Sequence, residues 1–272
     1  MEFRESLPDI NRLSIVAAAI MLAFGLTQLL TFPGQVFSFT LLGILLEFYL
    51  DFSTIVTILT AVLAVAGMDW LIRSHPDSPG KSSPLQYMRH WIMPILTTLV
   101  IGVALNNFAG GPFWWVIFAL GSVLLMAVFV GEYTVVSVGD IRHPLATVGL
   151  IGLSFALYLL LAVAVCAINL RLYLRLPLLG LGALMVISRA LFLRLRVWLL
   201  GWSFAISLIV TEIAVGLHYL PLSPNQYGLV LVGLAYALTS ITAGIKESRR
   251  GLSLWAEPAG MLLVLLITGL VV

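Results

Sequence analysis

Glu212 stands in the run Ser207-Leu208-Ile209-Val210-Thr211-Glu212-Ile213-Ala214-Val215, with no Asp, Glu, Lys or Arg within ten residues on either side. A carboxyl in such a run costs a few kcal/mol unless it is protonated, paired or facing water. The chemistry it suits is binding of a proton, a cation or a substrate group. The competing reading is a structural tie, in which the carboxyl hydrogen-bonds to His218, Tyr219, Arg171 or Arg175. Arg189 is the second candidate. It lies seven residues before Arg196, so the two share a helical face. Arg189 suits an ion pair, a contact with lipid head groups or a site for a substrate anion. Glu132 has the depth to be its partner, whereas Glu212 lies nearer the opposite boundary. Glu47 and Asp51 are four apart and would share a face if helical, as a cation site or gate, or as the point where an apolar segment meets water. Asp69 and Arg73, also four apart, fit a local helix pair.

The remaining chemistry-bearing residues exclude more than they suggest. His75, His90 and His143 fall near Asp69, Asp77 and Asp140, and a metal site needs three or four converging ligands. The spacings give no helix-face pattern such as His-x-x-x-His, so neither a metal nor a cofactor is expected, and the histidines are read as interfacial side chains. A single cysteine, Cys166, excludes an internal disulfide and a cysteine cluster. No Walker sequence, Gly-x-Ser-x-Gly or His-Glu-x-x-His is present. No catalytic residue is nominated, and an intramembrane enzyme ranks last among the functional readings.

These residues must be held by apolar elements. The 272 residues are 61% hydrophobic and 10% charged, against about 25% charged in an ordinary globular domain. That composition makes the chain a multi-pass membrane protein, and its length allows roughly seven to nine spans. The net charge of +2 gives no argument for nucleic acid. Apolar runs bounded by Pro, Gly and charge predict helices near 13–31, 53–73, 90–107, 113–133, 145–169, 178–196, 198–220, 226–245 and 257–272. Glu257-Pro258 is read as the start of the last of these. The stretch near 36–50 is shorter. As a helix it would cover about 22 Å of a ~30 Å hydrocarbon core, so it is read as a re-entrant dip. The expectation is an all-α polytopic transmembrane helix bundle with about eight spans plus this short re-entrant segment, forming one transmembrane domain over 1–272.

Charge sets the expected orientation. With the dip returning to its own side, twelve of the fourteen Lys and Arg residues fall on one side, and only Arg171 and Arg175 on the other. The positive-inside rule then predicts a cytoplasmic N-terminus and a C-terminus outside. Tryptophans near the expected helix ends fit the same frame. The mixed charge of Glu2, Arg4 and Glu5 and the long apolar run that follows predict a retained first helix rather than a cleaved signal. Gly233, Ala237, Ser240 and Gly244 step by four, three and four. This small-residue stripe allows close packing, within the chain by default or with a partner helix or second copy.

Several segments together resemble one known family. They are Phe52-Ser53-Thr54 leading to Gly67-Met68-Asp69-Trp70-Leu71-Ile72-Arg73-Ser74-His75-Pro76; Gly131-Glu132-Tyr133 with Arg142 and Pro144; Arg189; and Thr211-Glu212-Ile213-Ala214 leading to Tyr219-Leu220-Pro221-Leu222-Ser223. The resemblance is to uncharacterised multi-pass membrane proteins of bacteria, known only as a domain of unknown function. It implies a bacterial inner membrane and no activity. From the residues themselves, the leading reading is a transporter or permease-like protein working through Glu212, with Arg189 and Glu132 as supports. The alternative is a structural or assembly subunit. Membrane lipids are the expected partners.

Overall fold

A computed structural model describes residues 8–30, 32–41, 44–76, 87–137, 139–168 and 170–271. Among them are nine helices: α1 (Ile10–Leu29), α2 (Phe52–Arg73), α3 (Ile92–Asn107), α4 (Phe113–Val136), α5 (His143–Ala167), α6 (Leu172–Leu195), α7 (Leu200–His218), α8 (Pro224–Lys246) and α9 (Leu252–Val271). Eight are long and apolar enough to cross a bilayer, and α3, with 16 residues, is the shorter apolar one. Most of the polar loop expected after α2, residues 77–86, lies outside the described residues, as do Arg4 and Lys81 of the charge count.

The stretch near 36–50 is not a dipping helix. It forms two antiparallel strands, β1 (Gln35–Leu41) and β2 (Ile44–Leu50), with Gln35 opposite Leu50, Ser38 opposite Glu47 and Leu41 opposite Ile44. Its sequence explains the choice. Val36, Phe37, Phe39, Thr40, Ile44, Phe48 and Tyr49 are β-branched or aromatic, the types that favour a pleated backbone. Val36 and Phe37, which point to opposite faces of the strand, are both exposed. A two-stranded ribbon has two outer edges of unpaired backbone, which lipid-exposed hydrocarbon does not tolerate. Glu47 therefore lies on a strand and Asp51 beyond its end, so they do not share a helical face. Asp51 instead caps α2, its carboxylate accepting from the Thr54 backbone N–H at 2.8 Å and the Thr54 hydroxyl at 2.6 Å.

The chain groups into two compact units, one holding α1–α4 and the hairpin, the other α5–α9. In the first, α1, α2, α3 and α4 pack in chain order and α4 returns to α1. Val16, Ile20, Phe24, Met68, Leu71 and Phe129 form its core. A Cβ at Gly67 would overlap Val16, so glycine sets the closeness of α1 and α2 there. In the second unit α6 and α8 are the most enclosed helices. Ser207 of α7 donates to the Gly180 carbonyl of α6 at 2.7 Å, and Gly182 and Gly228 sit against Leu161 and Val163 of α5. Such small-residue contacts are the usual glue where lipid removes the hydrophobic drive to associate. Other hydroxyls inside the spans bond to their own helix, as when Thr97 donates to the Met93 carbonyl and Thr239 to that of Ala235. Leu120, Val123, Leu145, Val148 and Leu263 point outward and exposed, as side chains that face acyl chains do.

Two helix starts differ from the sequence expectation. α6 begins at Leu172 and carries Pro177 inside it, and α9 begins at Leu252 and carries Pro258 inside it. Each proline removes one internal hydrogen bond near the helix start. Glu257 is consequently one turn inside α9 and is not a residue of its first turn.

Candidate functional site

The C-terminal end of α6 meets the C-terminal end of α8 and the start of α9 in a cluster of charge. Arg194 lies in the last turn of α6, and Arg196 caps the helix in a left-handed conformation with φ 60°. The Arg196 N–H donates to the Phe192 carbonyl at 2.8 Å, closing the helix with a residue type that seldom adopts this conformation. α8 ends similarly. Ser248, at φ 59°, donates to the Ile245 carbonyl at 3.1 Å, and Arg249 donates to the Gly244 carbonyl at 2.9 Å. This paired closure reverses the chain and returns Arg249 and Glu257 toward Arg194.

Four charges then form a closed square. Arg194 donates to both oxygens of Glu247, at 2.7 and 3.3 Å, and lies 3.6 Å from Glu257. Arg249 lies 2.7 Å from Glu247 and 3.4 Å from Glu257. The Tyr236 hydroxyl adds a bond to Glu257 at 2.9 Å, and Arg194 reaches the Ser240 hydroxyl at 3.5 Å. The bond from Arg194, with the charge of Arg249 behind it, holds the Glu247 carboxyl below the ordinary glutamate range.

Beside this square lies a cavity of about 540 Å³ between α5, α6, α8 and α9. Its body is apolar, with Val148, Ile151 and Phe155 from α5 and Leu191 and Leu193 from α6. Its rim is polar: His143, Arg194, Arg196, Tyr236, Arg249 and Glu257. Arg196 is the cation of this rim that touches no carboxylate among the described residues. Its guanidinium contacts the His143 ring through Nη2 and Nε2. Guanidinium has only donors, so the His143 Nε2 accepts in this arrangement. Partial desolvation of this largely exposed side chain and the neighbouring Arg189 charge push the Arg196 guanidinium below its ordinary value.

A second Arg–His contact closes the other end of the same helix. Arg175, in the first turns of α6, is 4% exposed. Its Nη1 lies 2.7 Å from His218 Nδ1 on α7, its Nη2 donates to the Cys166 carbonyl at 3.4 Å on α5, and it lies 5.8 Å over the Tyr227 ring of α8.

The residues singled out from sequence are spread across the fold. Arg189 is fully buried, with its guanidinium 5.8 Å over the Phe192 ring, and does not snorkel. Glu132 is fully buried in the α1–α4 unit, 2.8 Å from His90 Nδ1. Arg89 donates to the other nitrogen of that ring at 2.9 Å, so Nδ1 is the nitrogen that donates to Glu132. His75 and His90 are both buried within the bundle, and the His75 ring is tilted against Tyr133 with centroids 4.5 Å apart. Glu212 is exposed on α7 and is not among the residues lining the 540 Å³ cavity. Asp69 and Arg73 form the expected pair at 2.6 Å. Along the α8 stripe, Gly233 faces Leu265 and Gly244 faces Leu254, so α9 of the same chain occupies it, with Ala237 and Ser240 also buried. No cluster of His, Cys, Asp and Glu able to hold a metal occurs among the described residues.

The cavity rim was not nominated from sequence. His143 and Arg196 are 53 residues apart, as are Arg194 and Glu247. The available signal was the density of charge at three helix ends, 194–196, 246–250 and 257. Of the residues named from sequence, His143, Arg196, Ser240 and Glu257 line this cavity, though each was named for another reason. No curated protein and no solved structure matches the chain. One family model matches residues 32–272, described as a protein of unknown function. That match covers the hairpin and every described helix but α1, and the chain belongs to this family of proteins of unknown function, DUF5656.

Proposed function

We propose that this multi-pass membrane protein binds an anionic amphiphile in the α5–α9 cavity, where the membrane meets the more positive side. The carrying observation is the cavity's two-part lining. An apolar body of α5 and α6 side chains runs up to a rim holding three arginines. Basic pockets between spanning helices on the cytoplasmic side suit lipid head groups. Arginine prefers the planar, two-point contact that a phosphate offers.

The orientation we propose places the N-terminus in the cytoplasm and the C-terminus outside, in a bacterial inner membrane. Twelve basic residues against two support it. Termini on opposite sides need an odd number of crossings, so the eight long helices must be joined by the shorter α3 as a ninth. The rim then faces the cytoplasm. A permease reading through Glu212 draws no support from this cavity, whose lining does not include that residue. The subunit reading rested on the α8 stripe, which α9 fills.

Native mass spectrometry of the detergent-purified protein tests the reading. Retained anionic lipid should be displaced by Ile151→Trp, which fills the apolar body. Retention unchanged in that variant would sink it.

A further inference from the structure

We infer that the cavity selects a singly charged phosphodiester lipid with an uncharged head group, held by Arg196, which the His143 ring positions at the rim. This deepens the anionic-amphiphile reading and rests on it.

The charge balance of the rim leads there. Arg194 and Arg249 each contact both Glu247 and Glu257. Two cations and two anions close on one another, and the square carries no net charge. Arg196 stands outside it, with His143 as its polar contact and no carboxylate among the described residues. The rim therefore offers one uncompensated positive charge. A phosphodiester carries one negative charge and meets it. A phosphomonoester carries about −1.5 to −2 at neutral pH and would bring a charge that the rim does not balance.

The same square argues against zwitterionic lipids. An ammonium head group needs a carboxylate to receive it. Glu257, the carboxylate of the cavity lining, is already taken by Tyr236, Arg194 and Arg249. The His143 ring holds the Arg196 side chain at the rim, its Nε2 accepting from the guanidinium. An Nε2 that accepts offers an anion no hydrogen bond, so Arg196 is the group that turns to the phosphate oxygen.

An acyl chain also has somewhere to go. Val148 lines the cavity and is 70% exposed. The cavity wall is therefore continuous with the outer apolar surface of α5. Ile151 and Phe155 carry that wall inward. A soluble phosphate would use the rim and leave this body empty.

The test is native mass spectrometry of the full chain in detergent, offered phosphatidylglycerol, phosphatidic acid or phosphatidylethanolamine in turn, with inorganic phosphate as a competitor. Phosphatidylglycerol should be retained about tenfold over phosphatidylethanolamine, a difference of about one charge-assisted contact, and above phosphatidic acid. Arg196→Gln should lower its retention about tenfold, with an unchanged unfolding temperature because the side chain is exposed. Arg196→Lys should recover part of the loss. Millimolar inorganic phosphate should not displace the lipid. Equal retention of all three lipids, or retention indifferent to Arg196→Gln, overturns the inference. Displacement by inorganic phosphate overturns the lipid as the source of the anion. The cavity reading itself survives those results if Ile151→Trp still abolishes binding, and falls with them if it does not.

Discussion

α6 carries an Arg–His contact at each end, and the two ends do different work. Near its N-terminus Arg175 is buried, in contact with His218, the Cys166 carbonyl and the Tyr227 ring, so four helices close on one guanidinium. At its C-terminus Arg196 touches His143 at the rim of a cavity and is exposed. The residue types are the same, and 21 positions, about 30 Å of helix, separate them. That distance matches the thickness of a hydrocarbon core, and the orientation we propose would put each pair at one boundary. Access distinguishes them. A buried guanidinium whose contacts come from its own bundle acts as a pin. An accessible one at the rim of an apolar cavity is the one we propose to bind.

The largest test of the contrast is Arg175→Ala. It takes a buried guanidinium from between four helices and a partner each from the half-buried His218 and Cys166 carbonyl, and a polar group left unpaired costs up to about 1–3 kcal/mol when fully buried. We expect about 2–4 kcal/mol lost in thermal or denaturant unfolding in detergent, with lipid retention falling only as folded protein is lost. Arg196→Ala should do the reverse, changing unfolding by less than about 0.5 kcal/mol while lowering retention of anionic lipid. If the two variants behave alike, the distinction between pin and site fails.

The charge square should give a smaller effect. Glu257→Gln weakens the hold of α9 on α6 and α8. Its partners are partly exposed, so about 0.5–1 kcal/mol is the expected loss, read as faster proteolysis or hydrogen exchange near Leu252–Gly260. The pH dependence has a defined sign. Arg194 depresses the Glu247 carboxyl in the folded protein, so this contribution is fully present above the ordinary glutamate range. It is lost as pH falls below that range through the depressed value. The end of α9 should therefore loosen at acid pH in the native chain, and Glu247→Gln should flatten that dependence. Glu212→Gln should have the smallest effect, with stability and lipid retention both close to those of the unaltered protein. A loss of retention there would move the site to the face of α7.

Most of the helical framework was legible because the apolar runs exceed the length a bilayer needs. The limits were physical. The stretch 36–50 is a short apolar run, and such runs do not separate strand from helix by periodicity. Its aromatic and β-branched residues were the signal for the hairpin. The sequence reading begins two helices at 178 and 257, yet Pro177 and Pro258 sit inside helices that begin at Leu172 and Leu252, where each removes one bond and crowds the carbonyl four residues before it without ending the helix. Asp51 was weighed as a gate residue and turned out to cap α2.

The site was less legible than the frame. An intramembrane carboxylate is conspicuous in a sequence, and attention went to Glu212. The cavity rim is built from charges at helix ends, which read as ordinary boundary residues. Sequence does not tell that His143 at the start of α5 meets Arg196 at the end of α6, or that Arg249 and Glu257 fold back on Arg194. Those meetings follow from the two left-handed closures at Arg196 and Ser248 and from which helices pack together.

The most direct measurement is photo-crosslinking in native membranes with a phosphatidylglycerol analogue carrying a diazirine in its acyl chain, followed by peptide mapping. The account predicts labels on Val148–Phe155 of α5 and Leu191–Leu193 of α6, lost in Arg196→Gln. Labels confined to outward faces such as Leu208–Ile213 of α7, with none in the cavity, would contradict it.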